Sequence, residues 1–180
     1  MLDRDAGPGP NAAALDARHW YHCPMETSVL KTLLAAGEWR AADDETRRLL
    51  LVDADDGGFT GLDPSEVPTL DCALLLAIDE AWAKASKGQY GLTAQSEILA
   101  AVRAEDHSQK EMWRTFGTRV GWFNDAGWSE ASEVGYSSDG GAGHLPWIPG
   151  IWPTVSTGRP YEVLFLFYRH FSRCTEAARS

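Results

Sequence analysis

The 180-residue sequence is poor in basic residues and cysteines, with 16 Lys and Arg against 26 Asp and Glu, and only three Cys. Because the formal net charge is −10, we expect no non-specific binding to nucleic acid or anionic lipid, which like charge repels. The longest apolar runs, residues 72–78 and 163–168, are far shorter than the roughly 20 residues that cross a bilayer, so we expect no membrane span. Three widely spaced cysteines predict no disulfide framework.

The N-terminus lacks a basic region followed by an apolar stretch, so we expect no secretory signal and a cytoplasmic protein. Residues 1–18 are rich in Ala, Gly, Pro and Asp without an apolar period, which predicts a mobile leader. The remainder, 19–180, is long enough for one hydrophobic core. A composition of 44% hydrophobic and 23% charged residues is typical of a single folded domain.

Apolar residues at helical spacing predict five helices before residue 121, and therefore an all-α fold. The first ends at Gly37 and the second covers about 39–52. Polar residues at the right offsets mark the later boundaries. The predicted signals are Asp71 as N-cap and Gly88 as terminator of the third helix, Thr93 as N-cap of the fourth, and a Ser108–Glu111 capping box for the fifth.

Residues 121–160 break this pattern, since they hold eight of the 17 glycines and four of the eight tryptophans. Gly-rich segments interrupt regular structure, yet large aromatic side chains must still be covered or used. Two interpretations have similar weight: an aromatic lid over the helical core, or a loop that displays an aromatic binding surface. Residues 161–173 fit a helix or a buried strand, and we favour a helix because no other strand is predicted to pair with them.

Few residues form a pattern typical of a metal-binding or catalytic site. His19, His22 and Cys23 are close in sequence and of types that bind transition metals, but no second His/Cys pair follows at zinc-site spacing. Cys23-Pro24 resembles a short haem-ligating element that is frequent by chance, and the role of the three residues stays open. No nucleophile elbow or carboxylate pair with an identifiable role is found. We therefore predict no catalytic residue, no metal and no enzymatic activity.

Several segments, taken in order, resemble the Genomes-Uncoupled family of porphyrin-binding domains, activators of magnesium chelatase in chlorophyll synthesis. The resemblance extends over about residues 28–147. Each segment alone is a weak signal, whereas the ordered set is specific. The segments are 33–39 (LLAAGEW) with 42–46 (ADDET), Val67-Pro68 with Asp71, 78–82 (IDEAW) with Ser86, Gly88, Tyr90, Gly91 and Gln95, Phe116-Gly117, 120–122 (VGW) and 143–146 (GHLP).

The resemblance implies a compact helical core with two long loops, here about 53–70 and 122–146, that form a cupped groove for a porphyrin or haem. A flat, largely apolar ring requires apolar and aromatic walls for its faces. Carried over to this sequence, the ligand-binding residues implied are Phe59, Val67, Phe123, Trp128, Tyr136, His144, Leu145 and Trp147.

The porphyrin carboxylates require cations or N–H donors. The family usually has a basic residue soon after Gly-Trp and another after His-Leu-Pro, where this sequence has Phe123-Asn124-Asp125 and Trp147-Ile148. The nearest cations, Arg114, Arg119 and Arg159, are therefore the expected carboxylate partners. The implied function is a non-enzymatic tetrapyrrole binder that delivers its ligand or regulates a partner enzyme. The alternatives are a protein-interaction module, or a protein that binds or transforms another flat hydrophobic metabolite.

Overall fold

The computed structural model describes residues 27–51, 62–129, 132–136, 141–148 and 161–180. The predicted leader, His19, His22, Cys23, Phe59 and Arg159 lie outside these ranges. Within them the chain is mostly helical, as predicted, with one two-stranded hairpin and one short 3-10 helix. The elements are α1 (Ser28–Ala35), α2 (Trp39–Leu50), the 3-10 helix (Val67–Thr69), α3 (Cys72–Ser86), α4 (Leu92–Arg103), α5 (Gln109–Arg119), β1 (Phe123–Asn124), β2 (Gly127–Trp128) and α6 (Glu162–Arg179).

Two predicted helix starts are confirmed by their caps. The Asp71 side chain accepts a hydrogen bond from the Ala73 N–H at 2.9 Å and begins α3. Ser108 and Glu111 form a reciprocal capping box at the start of α5. Each cap satisfies backbone donors that the first helical turn leaves unpaired, so these boundaries follow from local sequence.

The predicted N-cap of α4 is wrong. The helix begins at Leu92 after Gly91, whose φ of 116° is rarely adopted by other residues. Thr93 does not cap; its N–H and hydroxyl instead donate to the two Asp79 carboxylate oxygens, at 2.8 and 2.6 Å. The first turn of α4 is thus capped by a carboxylate from α3, a partner that a local sequence pattern does not reveal.

The hydrophobic core lies between α3, α4, α5 and α6, with α1 packed on α2 and α3. Its largest fully buried side chains are the indoles of Trp82, Trp113 and Trp122. The Trp82 indole N–H donates to the Thr46 hydroxyl at 3.0 Å, so α3 is joined to α2 by a satisfied polar contact. In the described part of the chain, no helix is long and apolar enough to span a membrane.

The structure corrects the prediction about cysteines. Cys72, at the start of α3, forms a disulfide with Cys174 in α6, with Cα atoms 5.1 Å apart. The two residues are 102 positions apart in sequence. They are close in space because α6 packs along α3 and the 3-10 helix. Wide spacing in sequence therefore did not exclude pairing. The helix favoured for residues 161–173 is confirmed and extends to Arg179.

Candidate functional site

Residues 141–148, which we call the strap, cross the helical core and are held by a buried glutamine. The Gln95 side-chain amide donates to the Gly143 and Pro146 carbonyl oxygens at 3.0 and 2.7 Å. Its side-chain oxygen accepts from the Tyr168 hydroxyl at 3.1 Å. Gln95 is completely buried, so these bonds are shielded from water and fix the strap on α4 and α6.

The strap is also held from α2 by a buried carboxylate. Asp43 is 0% exposed and accepts from the Trp147 backbone N–H at 2.7 Å and from the Tyr136 hydroxyl at 3.3 Å. The Arg47 Nε lies 3.6 Å away. Burial outweighs these favourable contacts and raises the pKa of Asp43 to about 6. Burial, followed by the nearby Asp43 charge, also raises the pKa of Tyr136.

We expect Asp43→Asn to remove a pH dependence of stability. Because the folded-state pKa of about 6 lies above the ordinary value of 3.8, the native state binds the proton more tightly than the unfolded chain. Stability from this group is therefore complete below about pH 4 and is lost as the pH rises through 6, by about 3 kcal/mol in total. We would measure the free energy of unfolding of both proteins in urea from about pH 4 to 7.5. Over this range the stability of the variant relative to the wild type should rise by roughly 2–3 kcal/mol. Parallel pH profiles would contradict this assignment.

His144 joins the strap to two other segments. Its Nδ1 lies 2.8 Å from the Val120 carbonyl oxygen and its Nε2 lies 2.7 Å from the Gly135 carbonyl oxygen. The Trp122 indole N–H donates to the His144 carbonyl at 2.8 Å. With both ring nitrogens against carbonyl oxygens and only 8% exposure, His144 has the geometry of a structural bridge between the strap, the end of α5 and residues 132–136.

A second group of side chains, which we call the hairpin patch, consists of Phe123, Trp128, Tyr161, Trp113 and Arg114. The ring centroids of Phe123 and Trp128 are 5.4 Å apart, and those of Trp128 and Tyr161 are 5.7 Å apart. Trp113 stacks on Tyr161 at 6.0 Å, and the Arg114 guanidinium lies 5.7 Å above the Phe123 ring. The patch thus places a cation beside several adjacent aromatic rings.

Gly117 in α5 makes the close packing of the patch possible. A Cβ atom at this position would lie 2.6 Å from the Trp128 ring and 2.9 Å from the Phe123 Cβ. The indole N–H groups of Trp113 and Trp128 are buried, and neither donates to an acceptor among the described residues. Buried donors usually have a partner, so these two indoles are exceptions among the described residues.

The structure separates the predicted ligand-binding residues into two groups. Val67, Leu145 and Trp147 are 0 to 3% exposed and, with His144, belong to the interior. These four side chains are buried in the structure, and their contact with a ligand stays a prediction. Phe123, Trp128 and Tyr136 are half-buried, and the first two lie together in the hairpin patch. Much of the first predicted loop, residues 52–61, lies outside the described residues, so the two-loop groove stays a prediction.

Of the remaining predicted residues, Tyr136 and Arg119 lie outside the hairpin patch, whereas Arg114 belongs to it. Tyr136 packs near α2, where the Arg40 guanidinium lies 5.5 Å above its ring. Of the predicted carboxylate partners, Arg119 is paired with Glu105 at 2.5 Å, whereas Arg114 lies at the patch. The structure therefore brings Arg114 together with Phe123 and Trp128, and places Arg119 in a surface ion pair.

Sequence reasoning missed Asp43, Tyr161 and Trp113 as parts of these arrangements. Asp43 lies four residues after Trp39 and seven before Leu50, on the buried side of α2. That spacing was the available signal. Tyr161 and Trp113 meet through packing of α6 near α5, and no local pattern indicates that contact.

Sequence comparison finds similarity to one protein family and to two curated proteins. A GUN4-like family model matches residues 23–159. A protein named "Tetrapyrrole-binding protein, chloroplastic" from Arabidopsis thaliana is 30% identical over 125 residues, which cover 66% of this chain and 46% of that protein. An uncharacterized protein, ycf53, from Porphyra purpurea is 28% identical over 125 residues, covering 68% of this chain and 50% of that protein. The chain thus spans about half the length of these curated relatives.

Solved structures show the same fold. The ligand-free structure of Arabidopsis thaliana GUN4 matches with a TM-score of 0.59 and 26% identity, covering 81% of this chain and 96% of that one. The structure of GUN4 from Chlamydomonas reinhardtii matches with a TM-score of 0.60 and 23% identity, covering 83% of this chain and 92% of that one. The helical core described above is therefore shared with both structures.

Proposed function

Because the chain belongs to the GUN4-like family, we propose that it is a tetrapyrrole-binding protein whose ligand rests on the hairpin patch. The related Arabidopsis thaliana protein is named for tetrapyrrole binding, which supports the ligand class. The protein acts without catalysis of its own: it delivers the tetrapyrrole to a partner enzyme or regulates that enzyme. The family resemblance points to a magnesium chelatase as the partner.

The observation that carries this proposal is the cluster of half-buried rings beside a cation. A porphyrin has wide apolar faces and carboxylates on one edge, so its site needs aromatic walls and a few donors. Phe123, Trp128 and Tyr161 supply rings 5.4 to 5.7 Å apart. Arg114 supplies an exposed guanidinium beside them.

The anchored strap supports a preformed site. Gln95 and Asp43 hold residues 141–148 through buried hydrogen bonds, while the Trp122 indole joins the start of the hairpin to the same segment. A surface that is already ordered loses less conformational entropy when a rigid, flat ligand binds. The helical core thus holds the patch in place for binding.

Titration with protoporphyrin IX, its magnesium form and haem tests the proposal. We expect a shift of the Soret band and quenching of tryptophan fluorescence with at least one of the three. If none of them produces either signal with folded protein, the chain is not a tetrapyrrole binder, and capture of a partner protein through the same aromatic residues becomes the function to test.

A matched pair of variants tests the location of the site. We expect Phe123→Ala to weaken porphyrin binding about tenfold, since loss of a stacked ring costs roughly 1–1.5 kcal/mol. Phe165→Ala is the control, because Phe165 is likewise a solvent-accessible ring beneath an arginine, with Arg103 5.8 Å away, but is not one of the patch residues. Equal effects of the two substitutions would place the ligand elsewhere.

An esterified porphyrin serves as the control for the role of Arg114. Arg114→Ala should weaken binding of the dianionic porphyrin but leave its dimethyl ester unaffected, because the ester has no carboxylates for the guanidinium to pair with. Unchanged affinity for both ligands would show that Arg114 does not bind the carboxylates. The aromatic contacts of the patch are tested separately by Phe123→Ala.

A further inference from the structure

Three side chains with metal-binding atoms meet between α3 and α6, away from the patch residues. Cys72, His170 and Cys174 each place one such atom within 4.8 Å of the other two. His170 and Cys174 are four residues apart on α6, and the His170 Nε2 lies 3.7 Å from the Cys174 sulfur. Cys72 comes from the first turn of α3 and is bonded to Cys174. The sequence, in contrast, predicted no metal.

We propose that these three residues form a zinc site that exists when the Cys72–Cys174 disulfide is reduced. Two thiolates and one imidazole are preferred zinc ligands, and a water molecule completes a tetrahedral set. The same sulfurs serve either the cross-link or the metal, so disulfide formation and zinc binding exclude each other.

The geometry fits this ligand set with small movements. Zinc–sulfur and zinc–nitrogen bonds of about 2.3 and 2.0 Å place tetrahedral ligand atoms roughly 3.5–3.8 Å apart. The 3.7 Å between the Cys174 Sγ and the His170 Nε2 already meets that separation. The sulfurs must move apart from bonding distance, which side-chain rotation allows because the Cα atoms are only 5.1 Å apart.

His170 must exchange one partner for another. Its Nε2 now lies 2.9 Å from the Leu70 carbonyl oxygen, in the segment before α3. To bind zinc, the ring holds its proton on Nδ1 and offers the Nε2 lone pair to the metal. The Leu70 contact and the metal bond are alternatives, and both hold α6 close to the start of α3.

The chemistry balances with a dithiol reductant. Two electrons from the dithiol cleave the Cys72–Cys174 bond, giving two protein thiols and the oxidised, cyclic disulfide of the reductant. Zn²⁺ then binds as the two thiols release two protons. Cys72 and His170 are half-buried and Cys174 is 1% exposed, so reductant and metal reach the site from the Cys72 side. In a reducing compartment such as the cytoplasm expected from the sequence, thiols persist.

Cobalt provides a spectroscopic test on the full chain. Protein reduced with a dithiol, which is then removed under anaerobic conditions, should bind one Co²⁺ with a thiolate-to-cobalt charge-transfer band and the visible bands of a tetrahedral complex. Zn²⁺ should displace the cobalt, and native mass spectrometry should show a gain of one zinc less two protons. Oxidised protein should show neither signal.

Variants assign the ligands. Cys72→Ser and Cys174→Ser should each abolish the charge-transfer band or weaken it strongly, and His170→Gln should lower affinity by at least the 10- to 100-fold that loss of a supporting partner costs at metal sites. Cys23→Ser, which leaves the proposed ligands intact, should bind Co²⁺ as the wild type does. Circular dichroism identifies variants that remain folded. Folded, reduced wild type without the cobalt bands, or a band that survives both serine substitutions, would overturn the proposal.

Discussion

Replacing Gln95 with leucine is expected to lower the free energy of unfolding by about 3–5 kcal/mol. The substitution keeps most of the side-chain volume but removes both donors and the acceptor. The Gly143 and Pro146 carbonyls and the Tyr168 hydroxyl then lose these hydrogen bonds in the interior. Each buried polar group left without its partner costs roughly 1–3 kcal/mol, and the loss falls on the segment that supports the hairpin patch.

Urea denaturation followed by circular dichroism measures this effect. Gln109→Leu is the matched control, because Gln109 is exposed at the start of α5, and an exposed substitution usually changes stability by no more than about 0.5 kcal/mol. If Gln95→Leu were as mild as the control, the hydrogen bonds of Gln95 would not be what holds the strap.

Removal of the Cys72–Cys174 disulfide is expected to cost the protein about 3–5 kcal/mol of stability in the absence of metal. The cross-link joins residues 102 positions apart, and it limits the freedom of the unfolded chain more than a short loop would. The chain-entropy model gives about 4.7 kcal/mol for a loop near 100 residues, and measured losses are commonly 2–5 kcal/mol.

The measurement compares oxidised wild type with the double variant Cys72→Ser/Cys174→Ser, both with chelator present. The m-value, the slope of the free energy of unfolding against urea concentration, should rise in the double variant, because the unfolded chain without the cross-link exposes more surface. Cys23→Ser should retain the wild-type midpoint. A double variant within about 1 kcal/mol of the wild type would show that the cross-link contributes little.

Local sequence patterns predicted most of the helical core. Apolar spacing located the helices, and the Asp71 and Ser108 caps fixed two starts, because capping residues act on backbone groups only two or three positions away. The cap of α4 was missed because Asp79 belongs to the preceding helix. The disulfide was missed for the same physical reason: α3 and α6 bring together residues that are distant in sequence.

The site could be predicted only in part. The family resemblance indicated the segment that holds Phe123, Trp128, Leu145 and Trp147, but not which of these side chains face inward. In a helix the period assigns the buried face, whereas residues 121–148 have no such period. Burial there depends on non-local contacts, such as the bond between Asp43 and the Trp147 N–H, and those contacts place Leu145 and Trp147 in the core.

The central claim, that a tetrapyrrole rests on the hairpin patch, is tested most directly by the indole N–H resonances of ¹⁵N-tryptophan-labelled protein during porphyrin titration. The ring current of a bound porphyrin should shift the Trp128 signal, assigned with Trp128→Phe. The Trp82 signal should stay in place, because that indole is hydrogen-bonded to Thr46 in a separate cluster with Trp39 and Tyr90. A saturating porphyrin that shifts Trp82 and leaves Trp128 unmoved would contradict the claim.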